Sequence, residues 1–167
     1  MNTEKALLKK LLKEPLEMAL SLIIIAIVGV TFIQVLSRYV FHLSLAWSEE
    51  LARYLFLWLA ALASAYAFKT KSHIGMKFLV ERLGGRARGW VDTVVMVIIA
   101  LFLLIFVWKS LEFSISMAGQ IAPSTKISMA VPYSSAWVGG VLMLYYVLRN
   151  WWSDRRSKEQ GRSRPGE

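Results

Sequence analysis

The 167-residue chain contains no cysteine, so neither a disulfide nor a thiolate-ligated metal can form in it. Charge is absent from two long stretches: residues 18–37 and 54–68 hold no Asp, Glu, Lys or Arg. There is no HExxH, no Ser/His/Asp set and no Gly-rich phosphate loop, so the usual sequence signals for hydrolytic or nucleotide chemistry are missing. Nor do two similar halves repeat along the chain, as they do in many secondary transporters. The ionisable residues Glu17, Arg38, Arg53, Asp92, Lys109 and Glu112 all fall near the ends of apolar runs. A transport site needs polar or ionisable groups near mid-membrane, and an enzyme needs a catalytic set. We expect neither catalytic, metal-binding nor substrate-binding residues here, and no enzyme activity.

What is present is apolar length. Hydrophobic residues make up 56% of the chain and the mean hydropathy is +0.49. About 20 apolar residues at ~1.5 Å each cross a ~30 Å hydrocarbon core. Four runs reach that length, at about 16–37, 46–68, 90–108 and 127–148. The expected fold class is therefore an all-α membrane protein with four transmembrane helices, forming one domain over residues 1–152. The first run is about twice as long as a signal-peptide core, and no small-residue cleavage site precedes Arg38, so an uncleaved first span is expected.

The net charge of +9 points to a membrane surface rather than nucleic acid, because no folded basic face with interleaved aromatics is present. Sixteen of the 20 Lys and Arg lie in the N-terminal tail, the connection between spans two and three, and the C-terminal tail. Only Arg38, Arg53, Lys109 and Lys126 lie in the other two connections. The positive-inside rule then predicts both termini in the cytoplasm. Residues 3–14 read as an interfacial amphipathic helix, with Leu7, Leu8, Leu11 and Leu12 on one stripe beside Lys5, Lys9 and Lys13. Such a helix rests its leucines in the acyl boundary and its lysines on phospholipid headgroups. Pro15 suits the first turn of span one. A second interfacial helix is expected over residues 76–83, ended by Gly84-Gly85. Trp90 and Trp108 bracket span three, and Trp151 and Trp152 close span four, as membrane-interface anchors. Residues 153–167 read as a disordered basic tail.

Between the first two runs, residues 38–54 read Arg-Tyr-Val-Phe-His-Leu-Ser-Leu-Ala-Trp-Ser-Glu-Glu-Leu-Ala-Arg-Tyr. Ser48 is placed as an N-cap, with Glu49 and Glu50 in the first turn at the positive end of the helix dipole. Arg53 stands at pairing distance from either carboxylate along the helix, and Arg38 ends the previous span at similar depth. Arg38, Trp47, Ser48, Glu49, Glu50 and Arg53 are thus expected to form a clasp joining spans one and two. Gln34 is expected to bond across to a neighbouring helix. Ala60 with Ser64, and Ala61 with Ala65, have the four-residue spacing that lets helices approach closely; Ser135 with Gly139, and Ala136 with Gly140, repeat it in span four. His42 and His73 read as polar connection residues, since no second ligand stands at metal-binding spacing.

Arg38-Tyr39-Val40-Phe41, then Trp47-Ser48-Glu49-Glu50-Leu51-Ala52-Arg53-Tyr54, then His73-Ile74 after a small-residue span, resemble the small membrane subunit (DctQ-like, or Q) of tripartite ATP-independent periplasmic (TRAP) transporters. The resemblance covers nearly the whole chain. It departs after His73-Ile74, where the family often places an apolar residue and an aspartate and this chain has Gly75-Met76-Lys77. The resemblance implies a bacterial inner-membrane importer of an organic acid such as a C4-dicarboxylate or sialic acid. A soluble periplasmic binding protein (P) would capture the acid and a large subunit (M) would carry it with sodium. The small subunit would serve as a non-catalytic scaffold for M, with no cofactor of its own, and the clasp would help to dock P. The alternative from a different class is a self-contained homo-oligomeric transporter or channel.

Overall fold

The computed structural model describes residues 14–70 and 85–162. The expected interfacial helices over 3–14 and 76–83, together with His73 and residues 163–167, lie outside the described residues except for Glu14. Four helices are present among the described residues: α1 (Pro15–Tyr39), α2 (Ala46–Lys69), α3 (Gly85–Ser116) and α4 (Ala130–Arg162). Each contains a stretch long and apolar enough to cross a bilayer: Pro15–Tyr39, Ala46–Lys69, Thr93–Ser116 and Ala130–Ser153. This is the all-helical four-span fold that the apolar runs predict.

Helices α3 and α4 differ in their bounds from the expected spans. Helix α3 continues past Trp108 to Ser116, supported by the 2.7 Å Lys109–Glu112 ion pair one turn apart on its exposed surface. Trp108 therefore lies on the side of a continuous helix, 70% exposed, and not at its end. Helix α4 begins at Ala130 and runs on to Arg162, so residues 153–162 extend the last helix where we expected irregular chain. Residues 127–129 instead belong to the preceding turn, where Ile121 and Ser128 form an isolated antiparallel bridge. Lys126, at φ 58°, occupies the left-handed conformation that turns the chain back.

The helices form an open single layer. Helix α1 packs on α2, α2 on α4, and α4 on α3, with no other helix pair in contact among the described residues. The spatial order is therefore α1–α2–α4–α3. Cross-contacts fix the directions. Gln34 meets Glu49 at one end of the α1–α2 pair and Glu17 meets Tyr66 at the other, so these helices are antiparallel. Helices α2 and α4 run parallel, with Tyr54 beside Met129 at one end and Phe68 beside Asn150 at the other. The layer thus has a loop end, carrying the α1–α2 and α3–α4 connections, and a terminal end.

An open layer buries little. Among the described residues the buried apolar side chains are Leu16, Ile27, Leu62, Ala65, Leu103, Ala122 and Pro132. Ile25, Phe32, Phe102 and Ile105 are among many large apolar residues more than 60% exposed. In water such surface would be untenable, whereas lipid tails or another membrane subunit cover it at no solvation cost. Backbone polar groups are satisfied within each helix, as hydrocarbon requires.

The layer is assembled at small residues. A Cβ added to Gly139 would sit 2.8 Å from Ala61 Cβ and 3.0 Å from the Ala61 carbonyl oxygen. A Cβ on Gly140 would sit 2.7 Å from Val107 Cγ2. The adjacent glycines point in different directions, so one dipeptide lets α4 approach α2 on one side and α3 on the other. Of the two small-residue pairs in α2, the structure uses Ala61 and the fully buried Ala65, while Ala60 and Ser64 stay exposed. Ser135 is buried, but its hydroxyl donates to its own helix at Pro132 O (2.7 Å) and does not cross to a neighbour.

Candidate functional site

The loop end holds the motif residues, and it is tied differently from the clasp expected of them. Helix α2 starts at Ala46, with Leu45 in the N-cap position. Ser48 is already inside the first turn, so it is not the N-cap; its hydroxyl donates 2.7 Å to Leu45 O, and its side chain is fully buried. Burial of Ser48 is a packing requirement, because a larger side chain in this turn would displace the neighbours that cover it.

The two carboxylates, adjacent in sequence, point 100° apart around the helix and do separate jobs. Glu49 accepts 3.2 Å from Gln34 Nε2, which is the α1–α2 cross-link. Gln34 thus makes the interhelical bond expected of it. Glu50 turns the other way and is buried. Its Oε2 accepts the backbone N–H groups of Ser124 (3.0 Å) and Thr125 (2.8 Å), and its Oε1 accepts the Tyr54 hydroxyl (2.6 Å). One carboxylate therefore fastens α2 to the α3–α4 connection. Charge-assisted bonds to backbone N–H groups are among the stronger polar contacts available. The connection is also braced from within, by Ala122 N to Ile127 O (2.9 Å), Met129 N to Gln120 O (2.9 Å) and the Ser128 hydroxyl to Ala118 O (3.0 Å).

Arg38 and Arg53 do not join this arrangement. Both are exposed, and among the described residues neither forms an ion pair with Glu49 or Glu50. Of the six clasp residues, then, Glu49 bridges α1 and α2 through Gln34, Glu50 bridges α2 to the far connection, Ser48 packs, and the arginines face outward. Trp47 is 42% exposed at the start of α2. It continues an apolar surface over Tyr39, Val40, Phe41 and Leu43, each at least 60% exposed, around the turn at His42 (φ 54°).

The terminal end carries a second set of ties that the sequence reading missed. Lys69 pairs with Glu14, and Tyr66 OH donates 3.0 Å to Glu17 Oε1, joining α1 to α2. Asn150 Nδ2 donates 2.8 Å to Phe68 O, joining α4 to α2. These partners are 49 to 82 positions apart, so only the helix order reveals them. Replacing Asn150 by leucine should remove about 1 kcal/mol of interhelical stabilisation. Thermal unfolding in mild detergent should show it as a drop of roughly 2–4 °C, and an unchanged midpoint would rule out Asn150 as a tie. Trp151 is half-buried and Trp152 64% exposed near the same end. Trp90 lies in α3, but its side chain is outside the described residues.

Among the described residues, no cluster of three or more His, Cys, Asp or Glu could hold a metal ion. The stretches 18–37, 54–68, 93–108 and 130–148, which make the middles of the helices, contain no charged residue. What the arrangement can do is tie an open, apolar row of helices together at both ends and present it to something else.

Comparison with known proteins gives that layer a family. Residues 27–157 match the family described as tripartite ATP-independent periplasmic transporters, DctQ component. A putative TRAP transporter small permease protein of Haemophilus influenzae is 30% identical over 114 residues, covering 67% of this chain and 70% of that protein. The sialic acid TRAP transporter permease protein SiaT of Haemophilus influenzae is 35% identical over 83 residues, half of this chain but 14% of SiaT. The C4-dicarboxylate TRAP transporter small permease protein DctQ of Rhodobacter capsulatus is 28% identical over 109 residues, 64% of this chain and 48% of that protein. This chain therefore spans only a minor part of some relatives and most of another. With the match running from the second half of α1 through α2 and α3 and along most of α4, the chain belongs to the DctQ component family of the TRAP transporters, as a small permease subunit that crosses the bacterial inner membrane several times.

Proposed function

We propose that the chain is the non-catalytic wall of a TRAP importer, against which a large M subunit moves an organic acid. The observation that carries this reading is the open α1–α2–α4–α3 layer, whose helix middles hold no charge and whose apolar sides are largely uncovered. A solute carrier needs groups at mid-membrane to replace the hydration of its cargo and coupling ion. A wall needs only rigidity and a large apolar face, and the ties at both ends supply the rigidity. Membership of the family implies an associated large membrane subunit. On this reading the coupling sodium and the cargo are held by M, and this chain needs no cofactor.

The orientation follows from the charge distribution: the terminal end, flanked by most of the Lys and Arg, is cytoplasmic, and the loop end faces the periplasm. The α3–α4 connection, held in one shape by Glu50, is then a preformed periplasmic platform beside the exposed Tyr39–Trp47 surface, suited to docking the binding protein. Phospholipid covers whatever apolar surface M leaves open. Sialic acid and C4-dicarboxylates are the cargoes of the relatives' transporters by name, and a carboxylate-bearing cargo is the class we propose here.

The test is reconstitution. Vesicles holding this chain alone should take up no labelled organic acid above empty vesicles, while vesicles holding it with its M partner, and supplied with binding protein and a sodium gradient, should accumulate one. Uptake by the lone chain would instead favour the homo-oligomeric transporter.

A further inference from the structure

Arg53, like Arg38, is a motif cation that forms no ion pair among the described residues, but it alone lies well inside a span. It lies seven residues beyond the start of α2, about 10 Å along the helix axis from Ala46 and inward of the exposed Trp47. The Arg53 side chain is exposed, and no carboxylate among the described residues pairs with it. Both acids of its own motif are engaged, Glu49 by Gln34 and Glu50 by Tyr54 and the 124–125 backbone. An unpaired guanidinium at that depth, on a span that crosses hydrocarbon, is costly, and such charges pair with an anion where one is in reach.

The surface around it has a definite shape. Arg53, Leu57, Ala60 and Ser64 follow one another at helical spacing, with Phe56 and Ala63 alongside, and all six are exposed. The face is bulky near Arg53 and low beyond Ala60, so a second helix crossing it approaches closely toward the terminal end while its own residue meets Arg53 near the loop end. Ser64 adds no unsatisfied polar group to the face, because its hydroxyl donates to Ala60 O (2.8 Å). The neighbouring face of α2, about 100° round the helix at Ala61, is already taken by α4.

We propose that this Arg53 face of α2 is where a membrane helix of the large subunit seats, carrying an Asp or Glu that accepts a bidentate pair from the Arg53 guanidinium. The occupant is chosen by charge complementarity: an anion offsets the cation, and a helix packed on the low surface at Ala60 and Ser64 would hold one in place beside it. The assignment rests on the scaffold reading above and adds to it which face is used and what the partner supplies.

Because the chain has no cysteine, single cysteines can be placed without background. Ala60→Cys and Ser64→Cys chains, co-produced with the M subunit and labelled with a photoactivated maleimide, should cross-link to M. Ile25→Cys, on the exposed side of α1, serves as the comparison. In the unlabelled complex, Arg53→Ala should lower recovery of M with the tagged chain about five- to tenfold. Arg53→Glu should lower it further, and Arg53→Lys should restore part of it. The level and helical content of each variant in membranes should match the parent chain, separating lost docking from lost folding. Unchanged recovery of M by Arg53→Ala, with cross-links from Ile25→Cys but not from Ala60→Cys or Ser64→Cys, overturns the face while leaving the scaffold reading standing. Native mass spectrometry showing Arg53 retaining an anionic phospholipid, with M recovered normally from Arg53→Ala, also overturns it. Failure of the parent chain to recover M at all overturns both.

Discussion

Replacing Gly139 by leucine is expected to separate α2 from α4 and to abolish a stable four-helix layer in detergent. The first added carbon would already stand 2.8 Å from Ala61 Cβ and 3.0 Å from the Ala61 carbonyl oxygen. Backbone cannot rotate aside as a side-chain tip can, so the helices must move apart. Overpacking of this kind costs about 1–3 kcal/mol in a well-packed site, and here it acts on the central contact of the row. Among the described residues, helix α2 packs on α1 and α4, and α4 on α2 and α3, so losing the middle packing leaves only the Glu50 and Asn150 ties to join the two pairs. Gly140→Ala should be milder, since the atoms it meets belong to the Val107 and Phe106 side chains. Thermal unfolding in mild detergent and protease sensitivity of the connections would measure both. A Gly139→Leu chain that unfolds at the parent temperature would contradict the observed helix order.

Glu50→Leu is expected to be nearly as severe, through a different physical route. It leaves the Ser124 and Thr125 N–H groups without their acceptor and the Tyr54 hydroxyl with only the weak Met129 Sδ contact (3.6 Å), in a place where Thr125 Oγ1 already has no partner among the described residues. Unmade buried hydrogen bonds cost more than made ones contribute, so three lost together should lower the unfolding midpoint by roughly 5–10 °C. Glu50→Gln keeps one acceptor oxygen and should fall between parent and leucine. The neighbouring Glu49→Leu, which loses only the exposed Gln34 bond, should change the midpoint far less. If the two leucine variants behaved alike, the distinction between a buried anchor and a surface bridge would fail. On the proposed function, Glu50→Leu should also reduce uptake by the complete transporter, because the periplasmic platform loses its fixed shape.

The contrast between Glu49 and Glu50 shows where sequence reading reaches its limit. Helical spacing places Arg53 within reach of both acids, and local geometry alone favours those pairs. Yet Glu50 has a better use: two backbone N–H groups with no helix of their own to satisfy them, which arrive from 74 and 75 positions away. The nearest cue in the sequence was Tyr54, four residues after Glu50 and hence on the same helix face. Ser48 shows the same limit on a smaller scale, because a one-turn difference in where α2 starts changes it from a cap to a buried packing residue.

Four apolar runs, the uncharged helix middles and the Trp-Ser-Glu-Glu-Leu-Ala-Arg-Tyr motif determined, without coordinates, that the chain is helical, crosses the membrane four times and belongs with the TRAP small subunits. Those properties are legible because hydrocarbon imposes length and polarity on each span separately. The order α1–α2–α4–α3, the division of labour between Gly139 and Gly140, and the ties of Glu50, Lys69 and Asn150 were decided only by the tertiary structure. Packing among apolar helices depends on which small residues meet and how closely, and nearly every face of such a helix is equally greasy in one dimension.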